Sequence, residues 1–200
     1  VEGGGHTPRS TCQDLVDLRA RAENMVIVDG RTWTEYQNFN IPGGISCPNG
    51  ELALRIDRLA PDPKTKIVVN CAGRTRSIIG AQTLIDFGVK NEVVALENGT
   101  QGWWLLGLKV EKGADRQAPG ATSDAGVLAE KQQKAQAHAQ RHGVGTVTAT
   151  DVIGWLDDPA RTTFLFDIRT PEEFARGSMA GFVHAPGGQL QQATDQWVGV

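Results

Sequence analysis

One short stretch holds the residues best suited to chemistry. Residues 67–79 read Ile-Val-Val-Asn-Cys-Ala-Gly-Arg-Thr-Arg-Ser-Ile-Ile. An apolar, β-branched run stops at Cys71, four residues separate that thiol from Arg76, and a new apolar pattern begins at Ile78. A cysteine attacks as its thiolate, which is the minor form of a free thiol at neutral pH. Three features here favour the anion. The free amides at the start of the following helix point at the loop. In the tight turn from Ala72 to Arg76, Gly73 has wide backbone freedom, so further amides can turn inward as an anion nest. Arg74 and Arg76 add positive charge. The ring formed by Ala72, Gly73, Arg74, Thr75, Arg76 and Ser77 would then hold an anionic substrate and stabilise charge as it develops. The plainer alternative is that Cys71 is a small buried residue, as most free cysteines are. The polar run that follows it is a poor lining for a core. Cys12, on a helix opening, and Cys47, in an extended segment without neighbouring charge, take that structural reading.

Loop size limits what such a thiolate attacks. Cysteine phosphatases place five residues between the cysteine and an arginine, and so wrap a tetrahedral phosphate. Here Ser77 stands at that place and the arginine comes one residue earlier. A smaller ring suits attack on sulfur better than attack on phosphorus with its full set of oxygens.

The flanking elements must position this loop. Lys66–Asn70 reads as a buried strand ending at the cysteine, and Ser77–Phe87 as a helix with Ile78, Ala81, Leu84 and Ile85 on one side and Gly88 at its end. Upstream, Ser10–Gln13 reads as a capping box that opens a helix to about Ala22. Met25–Asp29 is a second buried strand, and Thr32–Asn38 a short helix. Ile41–Cys47 is extended, and Gly50–Leu59 is helical with a stripe of Leu52, Ile56 and Leu59. Downstream, Glu92–Leu96 is a third strand and Thr100–Leu106 a helix after an Asn98-Gly99 turn. Short apolar strands alternating with amphipathic helices predict a parallel α/β sheet covered on both faces. Ligands of such sheets sit beyond the carboxyl ends of strands, where Cys71 falls.

The sequence also compares with itself. Residues 28–52 align without a gap with residues 166–190 at an offset of 138. Asp29, Arg31, Thr32, Glu35, Gly43, Pro48, Gly50 and Leu52 meet Asp167, Arg169, Thr170, Glu173, Gly181, Pro186, Gly188 and Leu190. The loop equivalent to Cys71 would fall near position 209, past Val200, so the second copy is expected to be incomplete. Residues 1–5 are similar to 110–114, as if they ended a preceding unit. The expected division is a tail or linker over 1–9, a complete unit over 10–113, a linker with a helix over 114–145, and the front half of another unit over 146–200. The charges of Asp29 and Arg31 are expected to brace the fold, and Trp103 and Trp104 to pack a domain edge.

Bulk properties narrow the classes. The chain has 200 residues, 40% of them hydrophobic and 22% charged, which is the balance of a globular protein. A net charge of -3 argues against a nucleic-acid surface or a basic membrane-binding face. No apolar run approaches the length of a membrane span. Three widely spaced cysteines fit neither a disulfide framework nor a zinc pattern, and they suit a reducing, cytoplasmic setting. His138 and His142 sit at i, i+4 but lack a third ligand, so no metal and no cofactor is expected.

With these marks in place, residues 10–113 resemble a rhodanese domain of the sulfurtransferase family. The resemblance rests on 26–36 (VIVDGRTWTEY), 41–52 (IPGGISCPNGEL), the loop CAGRTRS, and ENGTQGWWLLGLKVEKG at 97–113. Residues 146–200 resemble the first half of another such domain. This implies a three-layer α/β fold with a central five-stranded parallel sheet flanked by helices. It also implies a Cys71 that takes the outer sulfur of thiosulfate or a similar anionic donor. The resulting persulfide would pass its sulfur to cyanide, a small thiol or a protein acceptor. The backbone of Ala72 through Ser77 would cradle the persulfide, and Arg74 and Arg76 would hold the donor's anionic end. Two alternatives stay open: a non-catalytic binding or regulatory module, and arsenate reductase or phosphatase-like chemistry on the same scaffold.

Overall fold

The structure is a computed structural model and describes residues 7–199. Residues 1–5, read above as the end of a preceding unit, lie outside the described residues. The chain divides into two compact units, Val1–Lys131 and Gln132–Val200.

In the first unit, β1 (Arg9–Ser10), β2 (Met25–Asp29), β3 (Ile45–Ser46), β4 (Lys66–Asn70) and β5 (Val93–Leu96) form one sheet in the order β1-β5-β4-β2-β3. Every pairing is parallel, as the alternating pattern predicts. The connecting helices are α1 (Cys12–Ala20), α2 (Trp33–Asn38), α3 (Leu52–Leu59), α4 (Arg76–Asp86) and α5 (Gly99–Leu105). Side chains of β4 alternate between two cores, as the pleat requires. Ile67 and Val69 pack with Leu52 and Ile56 of α3 and Ala81 and Leu84 of α4. Val68 packs with Leu15 of α1, Ile41 and Trp103 of α5. Burying each such side chain contributes about 1.5–3 kcal/mol, more than a helix cap at about 1 kcal/mol. The two cores, rather than the caps, therefore fix where β4 ends.

Two strands escape the sequence pattern. β1 and β3 are two residues long and carry no periodicity, so only pairing defines them. β1 also moves the first helix cap. Ser10 lies in β1 opposite Leu96, and Thr11 instead accepts the Asp14 amide while Asp14 accepts that of Thr11. The expected cap at Ser10 is thus displaced by one residue, because strand pairing engages the Ser10 backbone first.

The linker-like residues 114–120 lie along β3. The Ser46 amide donates to Arg116 at 3.0 Å and the Ala118 amide to Ser46 at 2.8 Å, and Ala114 and Ala118 are buried. This strap covers an edge that would otherwise expose unpaired backbone groups. Trp103 is buried, whereas Trp104 is 64% exposed, so only the first of the pair packs as expected. Helix α6 (Ala125–Arg141) has no buried residue, in keeping with its alanine-rich face.

The second unit contains α7 (Ala149–Asp157), β6 (Phe166–Asp167), α8 (Pro171–Arg176), β7 (Val183–His184) and α9 (Gly187–Gln192). β6 and β7 are parallel. Their local bonds repeat those of β2 and β3 at the offset of 138. Arg31 bonds Asp29 and the Phe39 carbonyl, and Arg169 bonds Asp167 and the Gly177 carbonyl. Capping boxes Thr32–Glu35 and Thr170–Glu173 open α2 and α8. Among the described residues, no helix is long and apolar enough to cross a membrane.

Candidate functional site

Cys71 follows the last residue of β4, a central strand, and Arg76 opens α4. The intervening loop is anchored by α5. The Thr100 amide donates to the Cys71 carbonyl and the Gln101 amide to the Ala72 carbonyl, both at 2.9 Å. In a trans peptide the N–H points opposite to the C=O. The amides of Ala72 and Gly73 are therefore turned away from α5. Gly99 makes this close approach possible: at φ +51°, a Cβ there would lie 2.2 Å from the Cys71 carbonyl oxygen. Gly73 has φ +149° and likewise leaves no room for a side chain against the Asn98 carbonyl.

Behind the loop runs a buried polar chain. Arg31 and Asp29, each 1% exposed, form a bidentate ion pair. Asn70 donates to Asp29 at 3.0 Å and to the Thr100 hydroxyl at 2.9 Å, and that hydroxyl donates to the Cys71 carbonyl at 3.2 Å. The pairing expected to brace the fold does so, and it reaches the carbonyl of the cysteine.

The loop residues occupy different environments. Cys71 is 1% exposed. Arg74 and Thr75 are exposed. Arg74 lines a cleft of about 240 Å³ together with Arg9, Gly73, Ser77, Glu97 and Asn98. The Ser77 hydroxyl donates to the Leu96 carbonyl at 3.2 Å, tying α4 to the end of β5. Arg76 turns the other way. Its guanidinium donates to both oxygens of Glu35 at 2.7 and 2.6 Å. Its carbonyl accepts from Asn49 at 2.8 Å. Of the two arginines expected beside an anionic donor, Arg74 faces a cleft and Arg76 is paired with a carboxylate of α2.

This pairing is visible in the ionisation of both partners. Burial works to raise the Glu35 pKa, but the Arg76 guanidinium and the Thr32 donors outweigh it and pull the carboxyl down to about 2. Burial works against the Arg76 charge, while Glu35 foremost, then Cys71 and Asp29, raise its pKa. Burial disfavours the thiolate at Cys12 and Cys47. Burial, with Glu51 adding and Arg55 opposing, pushes Cys47 up to about 12, so the fold brings charges to a segment whose sequence shows none. Burial and then Glu97 raise Cys12. His138 and His142 lie with ring centroids 4.5 Å apart. Among the described residues, no group of three or more His, Cys, Asp or Glu could hold a metal ion.

Sequence reasoning missed Glu35, Asn70 and Thr100 as parts of this region. Glu35 had one visible signal, its recurrence as Glu173.

A parallel five-stranded sheet with a cysteine opening the loop between a central strand and a helix defines a class. Residues 11–106 match the family model described as the rhodanese-like domain, and this segment is a rhodanese-like domain. The chain is similar to a thiosulfate sulfurtransferase from Pseudomonas aeruginosa, known from its crystal structure. The two are 45% identical, with a TM-score of 0.90, over 96% of this chain and 36% of that one. It is also 36% identical over 96 residues to an HTH-type transcriptional regulator of Mycobacterium tuberculosis, a match covering 48% of this chain and 42% of the regulator. The chain spans less than half the length of each relative.

Proposed function

We propose that the rhodanese-like domain is a sulfurtransferase with Cys71 as its sulfur carrier. The observation that carries this reading is the position of Cys71 between the end of β4 and α4, with its carbonyl and that of Ala72 held by α5. The Cys71 thiolate attacks the outer sulfur of thiosulfate or a similar anionic donor. A bond forms between Sγ and that sulfur, the donor's sulfur–sulfur bond breaks, and its electron pair leaves with sulfite. Cyanide or an acceptor thiolate, small or borne by a protein, then attacks the outer sulfur of the persulfide and regenerates the Cys71 thiolate. Splitting the transfer into two displacements is the advantage of a covalent carrier. The amides of Ala72 through Ser77 stabilise the persulfide anion, and Arg74 meets the anionic end of the donor. The name of the Pseudomonas aeruginosa relative supports the same chemistry.

Residues 146–200 are, in this reading, the front of a second rhodanese unit in a tandem arrangement, supported by the bonds that recur at Asp167, Arg169, Thr170 and Glu173. Three free cysteines suit a reducing setting such as the cytoplasm.

The test is intact mass after mixing with thiosulfate, and again after cyanide, alongside Cys71→Ser. Gain of one sulfur that cyanide removes, absent in the variant, supports the transfer cycle. The similarity to a transcriptional regulator favours a second reading, a domain that senses or binds through the same loop. No sulfur gain together with a Cys71 inert to alkylation would select it.

A further inference from the structure

Glu35 and Arg76 are 41 residues apart in sequence and meet through two bonds of 2.7 and 2.6 Å. The Arg76 side chain is 8% exposed. Glu35 is held in turn, because the Thr32 hydroxyl and amide donate to its Oε2 at 2.9 and 3.1 Å. Both ends of the pair are thus fixed, one by the first turn of α2 and one by the first turn of α4. A bidentate arginine–carboxylate contact of this kind sets orientation as well as charge. Arg76 also lies within electrostatic reach of Cys71. Its charge would therefore act on anything bound at the thiol, were it not matched by Glu35. Arg74 is exposed and lines a cleft together with the loop residues Gly73 and Ser77.

We infer that Glu35 sets the charge the loop presents at Cys71, holding Arg76 in a fixed neutral pair so that anion recognition falls to Arg74 and the loop amides. Arg76 is a positioning residue for α4 and the loop, and Glu35 keeps it so. For its substrate, the anionic sulfur donor, this rests on the sulfurtransferase reading; the charge arrangement itself does not.

The experiment compares the rates at which iodoacetate, an anion, and iodoacetamide, a neutral analogue, alkylate Cys71 in the full chain, with the site confirmed by peptide mapping. The ratio of the two rates cancels changes in thiol exposure and nucleophilicity, which a merely structural role would move equally for both reagents. Glu35→Gln unmasks Arg76 and raises the ratio about threefold, the effect of one charge several ångströms away in a wet site. Arg74→Gln, at an exposed position, lowers it by about the same factor. Glu35→Gln combined with Arg76→Gln removes a neutral pair and restores a ratio near that of the unaltered chain. The inference is overturned if a folded Glu35→Gln leaves the ratio unchanged, if Arg74→Gln leaves it unchanged, if the double variant falls well below the unaltered chain, or if neither reagent reaches Cys71. Should Glu35→Gln alone fail to fold by circular dichroism, the other two variants decide. A chain that gains no sulfur from thiosulfate but shows these ratios would keep the charge arrangement and refute the sulfurtransferase reading.

Discussion

The side-chain amide of Asn70 bonds the Thr100 hydroxyl at 2.9 Å, and its second hydrogen goes to Asp29 at 3.0 Å. One residue at the end of β4 therefore links a buried ion pair to the carbonyl of the cysteine. Asn70→Ala leaves the Asp29 carboxylate and the Thr100 hydroxyl short of a donor inside the protein. It should cost about 3 kcal/mol, seen as faster amide hydrogen exchange along β2 and β4. Thr100→Val should cost only about 1 kcal/mol, because the Thr100 amide still holds the Cys71 carbonyl. Equal effects would mean that the chain through Asn70 carries no special load.

Gly99 and Gly88 make a paired test. Both have positive φ, but a Cβ at Gly88 meets nothing within 4 Å, whereas at Gly99 it meets the Cys71 carbonyl at 2.2 Å. Gly88→Ala should cost about 1 kcal/mol of backbone strain. Gly99→Ala adds a backbone collision that only movement of the loop relieves, so it should cost about 2 kcal/mol more and abolish the proposed sulfur transfer. Chemical denaturation and the mass assay with thiosulfate measure the two effects.

The sequence reveals the strands and helices best where burial is continuous. Met25–Asp29 and Lys66–Asn70 stand out because a parallel strand covered on both faces is apolar throughout. β1 and β3 do not, since two residues hold no period and exist as strands only by pairing. The adjacent Ser10 and Thr11 are both good caps by type, and the register of β1 against β5 chooses between them. At the site, Cys71 and its loop are legible because their chemistry is local. Glu35, Asn70 and Thr100 are not, because topology joins them over 41 and 30 residues. Arg76 shows the same limit from the other side. Its residue type signals an anion ligand, and only the fold reveals that a carboxylate already occupies it.

The three thiols should separate in the native chain. Burial raises the pKa of Cys12 and takes Cys47 to about 12, so neither offers much thiolate near neutrality. Iodoacetamide at mild alkaline pH should add one group, at Cys71, and further groups only after denaturation. Native modification at Cys12 or Cys47 ahead of Cys71 would contradict the assignment.

Stability should respond to acid through Glu35. Its carboxyl has a folded pKa of about 2 against an ordinary value of 4.5. A depressed folded pKa contributes stability that is fully present above the unfolded value and is lost as pH falls toward the folded one. The contribution should therefore fade between about pH 4.5 and pH 2. Because the Glu35 side chain is 37% exposed, solvent screening reduces the effect well below that of a fully buried pair. Glu35→Gln should flatten the acid limb of the stability profile in that window and leave its neutral and alkaline parts parallel to the unaltered chain. An unchanged acid limb would show that other carboxylates govern it.

The repeated aspartate–arginine pairs should differ in strength. Asp29 and Arg31 are each 1% exposed, whereas Arg169 is 46% exposed beside Asp167 at 7%. Removing one member of a buried pair strands the other charge in a poor solvent, at about 3–5 kcal/mol, while water takes much of the place of a partner lost from an exposed pair. Arg31→Met should therefore open β2 to hydrogen exchange far more than Arg169→Met opens β6. Arg31→Met should also lower the proposed sulfur transfer, since the chain from Arg31 through Asp29, Asn70 and Thr100 ends on the Cys71 carbonyl. If both variants behave alike, burial does not distinguish the pairs, and the strength of this brace lies elsewhere in the sheet.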